Sequence, residues 1–301
     1  MKALYRHRTY RAGNTIEVEE TYPTRFGDLL TREKHRKPTP EAMRLYNEEV
    51  AIRKLTRLMN ENFVPNDWFI TLHYEDHNRP KTLEEAEENL SRFIRKLRTV
   101  YKKNDVELKY VKRTAFGDKG AVHHHIVIPK GVEIREINTL WRTHIRSTIK
   151  ARPPECRALY DTGEYSGLAA YIVRQYSGDN PYIKKWIGSR NLKKPKLEKY
   201  KDIEEIKWQE PPVARDEYYI DTDSIRAGCN PLTNRPYLFY RMVKLPPDFV
   251  CYDKQGNRLC GKEAIRYFRA DNKKWIKDNW DVINPEGDIV FKDTGGMRQN
   301  E

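Results

Sequence analysis

Gly120-Ala121-Val122-His123-His124-His125-Ile126-Val127-Ile128 is the stretch on which the fold turns. Ile126, Val127 and Ile128 are β-branched, Gly117-Asp118-Lys119-Gly120 opens the run as a turn, and Pro129-Lys130-Gly131 closes it. That is the punctuation of a short buried strand. Side chains alternate along a strand, so His123 and His125 share one face while His124 takes the other. With Cα atoms roughly 6.6 Å apart, two imidazoles converge on one ion through bonds of ~2.0–2.2 Å. His123 and His125 are therefore candidate metal ligands, although a bare His-x-His pair also occurs as ordinary core or surface histidines.

Working outward, Trp68 to Tyr74 reads as an aromatic and β-branched strand with Phe69, Thr71 and His73 on one face, expected beside the histidine strand. Thr82 begins a capping box with Glu85, and Leu83, Ala86, Leu90, Phe93, Ile94, Leu97 and Tyr101 recur at helical spacing. Val106 to Lys112 alternates as a further strand, and Ile137, Leu140, Trp141, Ile145 and Ile149 mark a second helix. After Pro153-Pro154, a short strand is expected over Cys156 to Tyr160. The turn Asp161-Thr162-Gly163 then leads into a helix from about Glu164 to Tyr176 that carries Tyr171. The expected architecture is α+β: an antiparallel sheet of about five strands with helices mainly on one face, leaving the other free for the candidate metal ligands.

The flanks read differently. Ala3 to Tyr22 suggests a hairpin around Ala12-Gly13-Asn14, and a helix is expected from about Glu41 to Asn60. Pro181 to Tyr200 reads as loop-rich and basic, with Lys184, Lys185, Arg190, Lys193, Lys194, Lys196 and Lys199 against the single acid Glu198, interleaved with Tyr182, Trp186 and Tyr200. Charge along a backbone with aromatic platforms is what single-strand binding requires; a solvated segment is the plain alternative. Farther on, strands are expected at Tyr218-Tyr219-Ile220, Tyr237 to Tyr240 and Phe249 to Tyr252, and a helix from Lys262 to Trp280. Gly256 to Glu263 nearly spells a phosphate-binding loop, but Glu263 stands where a serine or threonine would bind magnesium, so it reads as a turn and helix start. The division expected is an N-terminal extension over 1–61, a domain over 62–200, and a C-terminal α+β extension or small domain over 201–301.

Composition narrows the partners. Among 301 residues, 57 Lys+Arg against 44 Asp+Glu give a net charge of +13, which points to a polyanion such as nucleic acid. No apolar run reaches 18 residues and no signal-peptide core is present, so no membrane partner is expected. Cys156, Cys229, Cys251 and Cys260 form no C-x-x-C pair, which suits reduced thiols and a cytoplasmic location.

Gly-x-x-His-x-His-x-x-Ile resembles the metal-binding motif of the HUH nucleases (His, hydrophobic residue, His), which cut single-stranded DNA with a tyrosine; His124 is an atypical middle residue. Phe69-Ile70-Thr71-Leu72 resembles the first motif of rolling-circle replication initiators. Ala170-Tyr171-Ile172-Val173-Arg174 resembles their tyrosine motif, usually Tyr-x-x-Lys, with Arg174 in place of the lysine. Asn62-Phe63 and Ser189 to Pro195 are similar to phage and plasmid initiators related to filamentous-phage gene II proteins. The resemblance covers roughly residues 40 to 200.

It implies that Tyr171 is the nucleophile, that Arg174 holds phosphate or favours the phenolate, and that His123 and His125 hold a divalent ion, magnesium or manganese. It also implies single-stranded or hairpin origin DNA as substrate, a 5′-phosphotyrosyl intermediate, a free 3′ hydroxyl that primes synthesis, and a host helicase and polymerase as partners. The usual acidic third ligand has no counterpart at Thr114 or Ala115; Glu107, His73 and Glu75 stay open. Tyr176 is a rival nucleophile, but at ~100° per residue it lies about 140° around the helix from Tyr171, against about 60° for Arg174. Two other readings remain: a DNA-binding regulator with a structural metal, and an HUH transposase or relaxase.

Overall fold

The computed structural model describes residues 5–23, 39–117, 120–147, 153–160, 162–175, 184–230 and 235–283. Along the chain come strands β1 (Tyr5–Ala12) and β2 (Thr15–Thr21), helix α1 (Pro40–Asn62), β3 (Trp68–His73), α2 (Leu83–Lys103), β4 (Val111–Phe116), β5 (Val122–Ile128), α3 (Ile134–His144), β6 (Glu155–Ala158), α4 (Ser166–Arg174) and β7 (Ile187–Gly188). Then follow β8 (Lys196–Ile203), β9 (Tyr218–Asn230), β10 (Arg235–Lys244), β11 (Val250–Tyr252), β12 (Arg258–Cys260), α5 (Gly261–Asp278) and α6 (Trp280–Ile283). The described residues divide into two compact units, one spanning 50–194 and the other drawn from residues up to 49 and from 195 onward.

In the unit spanning 50–194, five strands pair antiparallel in the order β6-β3-β5-β4-β7. The α+β architecture with a central antiparallel sheet is the expected one. Alternation divides the strands between two cores. Ile70, Leu72, Val122, Ile126 and Ile128 face α2 and α3, where Leu90, Phe93, Leu97, Tyr101 and Trp141 are fully buried. Phe69, Val111 and Val127 face α4 and the part of α1 from Val50 onward, against Ile52, Leu55, Met59, Leu168, Ala169, Ile172 and Val173. Helices thus cover part of the second face as well. The sequence of α4 explains this, because Leu168, Ala169, Ile172 and Val173 form an apolar stripe that one sheet face must bury.

Local chemistry fixes the ends of these elements. Thr82 Oγ1 accepts from the Glu85 N–H at 3.2 Å, and the Glu85 carboxylate accepts from the Lys81 N–H at 2.8 Å, closing the first turn of α2. Buried Asp67 accepts from the Val64 N–H at 2.9 Å and the Lys130 N–H at 2.7 Å, tying the start of β3 to the end of β5. Gly120 sits at φ 71°, a conformation that favours glycine, in the turn between β4 and β5. The strand expected over Val106 to Lys112 begins instead at Val111. Before it, the chain is bonded by loop residues: the Tyr110 N–H donates to Ser189 Oγ at 3.0 Å, and Asn191 Nδ2 donates to the Leu108 carbonyl at 3.1 Å.

In the other unit, five antiparallel strands run β8-β1-β2-β10-β9. The expected N-terminal hairpin is present, and it shares one sheet with strands from the C-terminal third of the chain. Ile16, Val18, Ile220 and Met242 are packed with Ile276 of α5 and Trp280 of α6. Arg241 and Glu17 form a buried ion pair at 3.0 Å, with side chains 4% and 2% exposed, and Asp221 accepts from the same guanidinium at 3.3 Å. Residues 196–200, within the stretch expected to be loop-rich, belong to the edge strand β8. Gly256 to Glu263 is divided between the β11–β12 turn, β12 and the first residues of α5, a turn and helix start rather than a phosphate cradle.

Candidate active site

Register brings the site together. Thr71 pairs with His125 and His73 with His123 between β3 and β5, Thr71 pairs with Glu155 on β6, and Arg113 of β4 pairs with His125. Glu155, Thr71, His125 and Arg113 therefore form one row across four strands on a single face, with His123 and His73 in the next row of that face.

The two histidines meet. His123 Nε2 and His125 Nε2 are 3.1 Å apart, and the rings are 4.8 Å apart between centroids. The outer nitrogens are held too: His123 Nδ1 lies 3.2 Å from the Ala121 carbonyl, to which it donates, and His125 Nδ1 lies 3.2 Å from Thr71 Oγ1. The direction of the Thr71 bond decides the state of the pair. If the Thr71 oxygen accepts from Nδ1–H, both Nε2 atoms present lone pairs to one point. If the hydroxyl donates, His125 Nε2–H donates to His123 and the pair is satisfied by itself.

The first state fits a divalent ion, since a 3.1 Å separation corresponds to an angle of roughly 95–100° at an ion with bonds of ~2.0–2.1 Å. Burial pushes His125 down to about 3, aided by the charge of His123 and opposed by a side-chain hydrogen bond with Gln175, so the ring is neutral at pH 7, as a ligand must be. Among the described residues no group of three or more His, Cys, Asp or Glu side chains is arranged to hold a metal ion. Of the open acids, Glu107 accepts from Asn191 Nδ2 at 2.9 Å, and Glu75 lies 3.6 Å from His77. His73 does stand by the pair, its ring 6.1 Å from that of His123. Glu155, which the sequence reading passed over, lies 3.7 Å from His73 Nε2.

His124 points into the opposite core. It is fully buried, with Nε2 2.9 Å from the Tyr74 hydroxyl and Nδ1 2.9 Å from Thr114 Oγ1, and Thr114 in turn donates to Glu87, whose other oxygen accepts from Lys112 at 2.5 Å. Burial holds its pKa well below the ordinary histidine value.

Tyr171 reaches the same face from α4. Its ring centroid is 5.2 Å from His125 and 6.0 Å from Phe69, while Phe69 stacks on His125 at 5.5 Å. Burial raises the Tyr171 hydroxyl above the ordinary tyrosine value; Arg157 opposes this, Glu155 adds to it, and a side-chain hydrogen bond with Gln175 lowers it. Arg174 is half-buried at the last position of α4, one turn beyond Tyr171. The expected rival Tyr176 lies outside the described residues, as does Tyr182.

On the same face, Arg113 is buried and acts as a latch. It donates to the Gln175 carbonyl at 2.8 Å and to the Lys184 carbonyl, and burial pulls it down to about 10. Lys184, Lys185, Arg190, Lys193, Lys194 and Lys196 are all exposed. The first two precede β7, the next three follow it, and Lys196 begins β8. Asn62 anchors part of this segment, since its side chain accepts from the Lys193 N–H and donates to the Lys193 carbonyl, each at 2.8 Å.

No helix among the described residues is long and apolar enough to cross a membrane. No curated protein and no solved structure matches the chain. Residues 67–176, from the start of β3 to just past α4, match the family model of replication-associated proteins of the ORF2 and gene II protein type, which supports a role in initiating replication for the segment that carries His123, His125 and Tyr171.

Proposed function

We propose that this chain nicks and rejoins single-stranded or hairpin DNA at a replication origin, with Tyr171 as nucleophile. The observation that carries the reading is the convergence of His123 Nε2 and His125 Nε2 at 3.1 Å, with the Tyr171 ring 5.2 Å from His125 on the same sheet face. Tyr171 Oη would form a bond to phosphorus as the bond from phosphorus to the 3′ oxygen breaks. The phenolic proton leaves the tyrosine and the departing 3′ oxygen gains one, so the step releases no net proton. The phosphotyrosyl bond keeps the 5′ phosphate in an activated form, so attack by a 3′ hydroxyl reverses the reaction and joins ends.

His123 and His125 would hold a divalent ion, magnesium or manganese, which when bound withdraws charge from a non-bridging phosphate oxygen. Arg174, one turn from Tyr171, is assigned to the phosphate. The exposed lysines and Arg190 would track the backbone of the strand. Strand opening and synthesis are assigned to a host helicase and polymerase.

Incubation with labelled hairpin DNA from the encoding replicon, followed by a denaturing gel, tests this. A protein–DNA adduct that requires a divalent ion, with the phosphonucleotide on the peptide containing Tyr171, is expected. Attachment to Tyr176 would move the nucleophile, and the absence of any adduct with binding retained would favour a DNA-binding regulator.

A further inference from the structure

Beside Tyr171 is a cleft of about 200 Å³ on the same sheet face. Phe69 and Leu168 form its apolar walls, Tyr160 lies at its exposed side, and Glu155 and Arg157 supply the polar groups. The two charged residues share this face by strand period, since β6 pairs Thr71 with Glu155 and Phe69 with Arg157. Drug-sized sites run to about 300–1,000 Å³, so this cleft takes a single planar ring system.

The geometry points to a pocket for one unpaired guanine base, next to the phosphate that Tyr171 attacks. Guanine offers O6 and N7 as adjacent acceptors, the edge that a guanidinium contacts in bidentate fashion. Its N1–H and N2–H₂ are adjacent donors that suit a carboxylate, and in a single strand they are not occupied by a pairing base. Cytosine, adenine and thymine each offer one of these paired edges at most. Tyr160 and Phe69 provide aromatic surface for the faces of the ring. Tyr171 is part of the lining, so the base held here belongs to a nucleotide flanking the scissile phosphate.

This assignment rests on the nicking reading for its position in the strand but not for its chemistry, so binding can test it apart from cleavage. In the Tyr171→Phe background, fluorescence anisotropy would measure affinity for single-stranded oligonucleotides from the origin of the encoding replicon carrying guanine, inosine or 7-deazaguanine at each nucleotide in turn. At one of those positions, 7-deazaguanine (no N7) and inosine (no N2 amine) should each bind at least about fivefold more weakly. Arg157→Ala should erase the first difference and leave the second, and Glu155→Gln should do the reverse. Arg157 is exposed, so its replacement does not threaten the fold. Equal affinity for all three bases at every position, or discrimination that survives both substitutions, overturns the pocket. A wild-type protein that forms no adduct yet discriminates in this way would overturn the nicking reading and leave the pocket standing.

Discussion

Strand β5 buries a histidine on each side, His125 in the candidate site and His124 in the opposite core. His123→Ala or His125→Ala should abolish divalent-ion-dependent adduct formation while the fold and much of the DNA affinity persist, measured by gel and by circular dichroism. Tyr171→Phe should have the same effect, because the ring still packs on Phe69 and His125 and only the hydroxyl is lost. His124→Leu is a stability mutation. It removes the ring that lies 2.9 Å from the Tyr74 and Thr114 hydroxyls, at a cost of about 0.5–1.5 kcal/mol per hydrogen bond lost, while Thr114 keeps its bond to Glu87. Urea denaturation should show that loss, while the variant still forms adduct at a temperature where it is folded. Equal loss of adduct in folded His123→Ala and His124→Leu would mean that the two faces of the strand are not functionally distinct.

At the scale of elements, α4 is held to the sheet by apolar packing on one side and by Arg113 at its end. Arg113→Met would release the Gln175 and Lys184 carbonyls; a loss of about 3–6 kcal/mol is expected, since hydrogen bonds to charged groups are worth about 1.5–3 kcal/mol each. Adduct yield should fall further than the fraction folded, because Tyr171 and Gln175 sit on the part of the chain that Arg113 holds. Elements with strong period were legible in the sequence: β3, α2, β5 and α4 announce themselves through alternation or helical spacing. So did the pairing of His123 with His125, which follows from strand period alone. Two elements were not legible. Val106 to Tyr110 alternates like a strand, yet Ser189 and Asn191 side chains supply its hydrogen bonds instead of a neighbouring ladder. β8 is an exposed edge whose charged residues hide the two-residue period. Glu155 escaped notice because it lies on a four-residue strand, where its relation to His73 depends on register with β3.

For the whole molecule, pH and salt should act through separate residues. His124 and His125 both have folded-state pKa values below 6.5, so the unfolded chain takes up protons that the native state refuses as the pH falls from about 6.5 toward 3. Stability is fully present above that window and is lost on acidification through it. Thermal unfolding between pH 7.5 and 5 should show a falling midpoint, with a shallower fall in His124→Leu. Salt should act through the exposed lysines instead: replacing Lys193, Lys194 and Lys196 with alanine should lower the slope of log affinity against log salt by up to ~0.7 per lost single-strand contact. An unchanged slope would mean that these lysines touch no phosphate. The sheet β8-β1-β2-β10-β9 also sets an order of events during synthesis. β1 and β2 leave the ribosome first, but their partners β8 and β10 end at residues 203 and 244. At about 5–20 residues per second the nascent hairpin waits roughly 9–36 s with both edges open, until β8 is made. Residues 50–194, which carry the candidate catalytic groups, are complete before either partner strand arrives, so they can fold on the ribosome while the first strands of the chain still await their sheet.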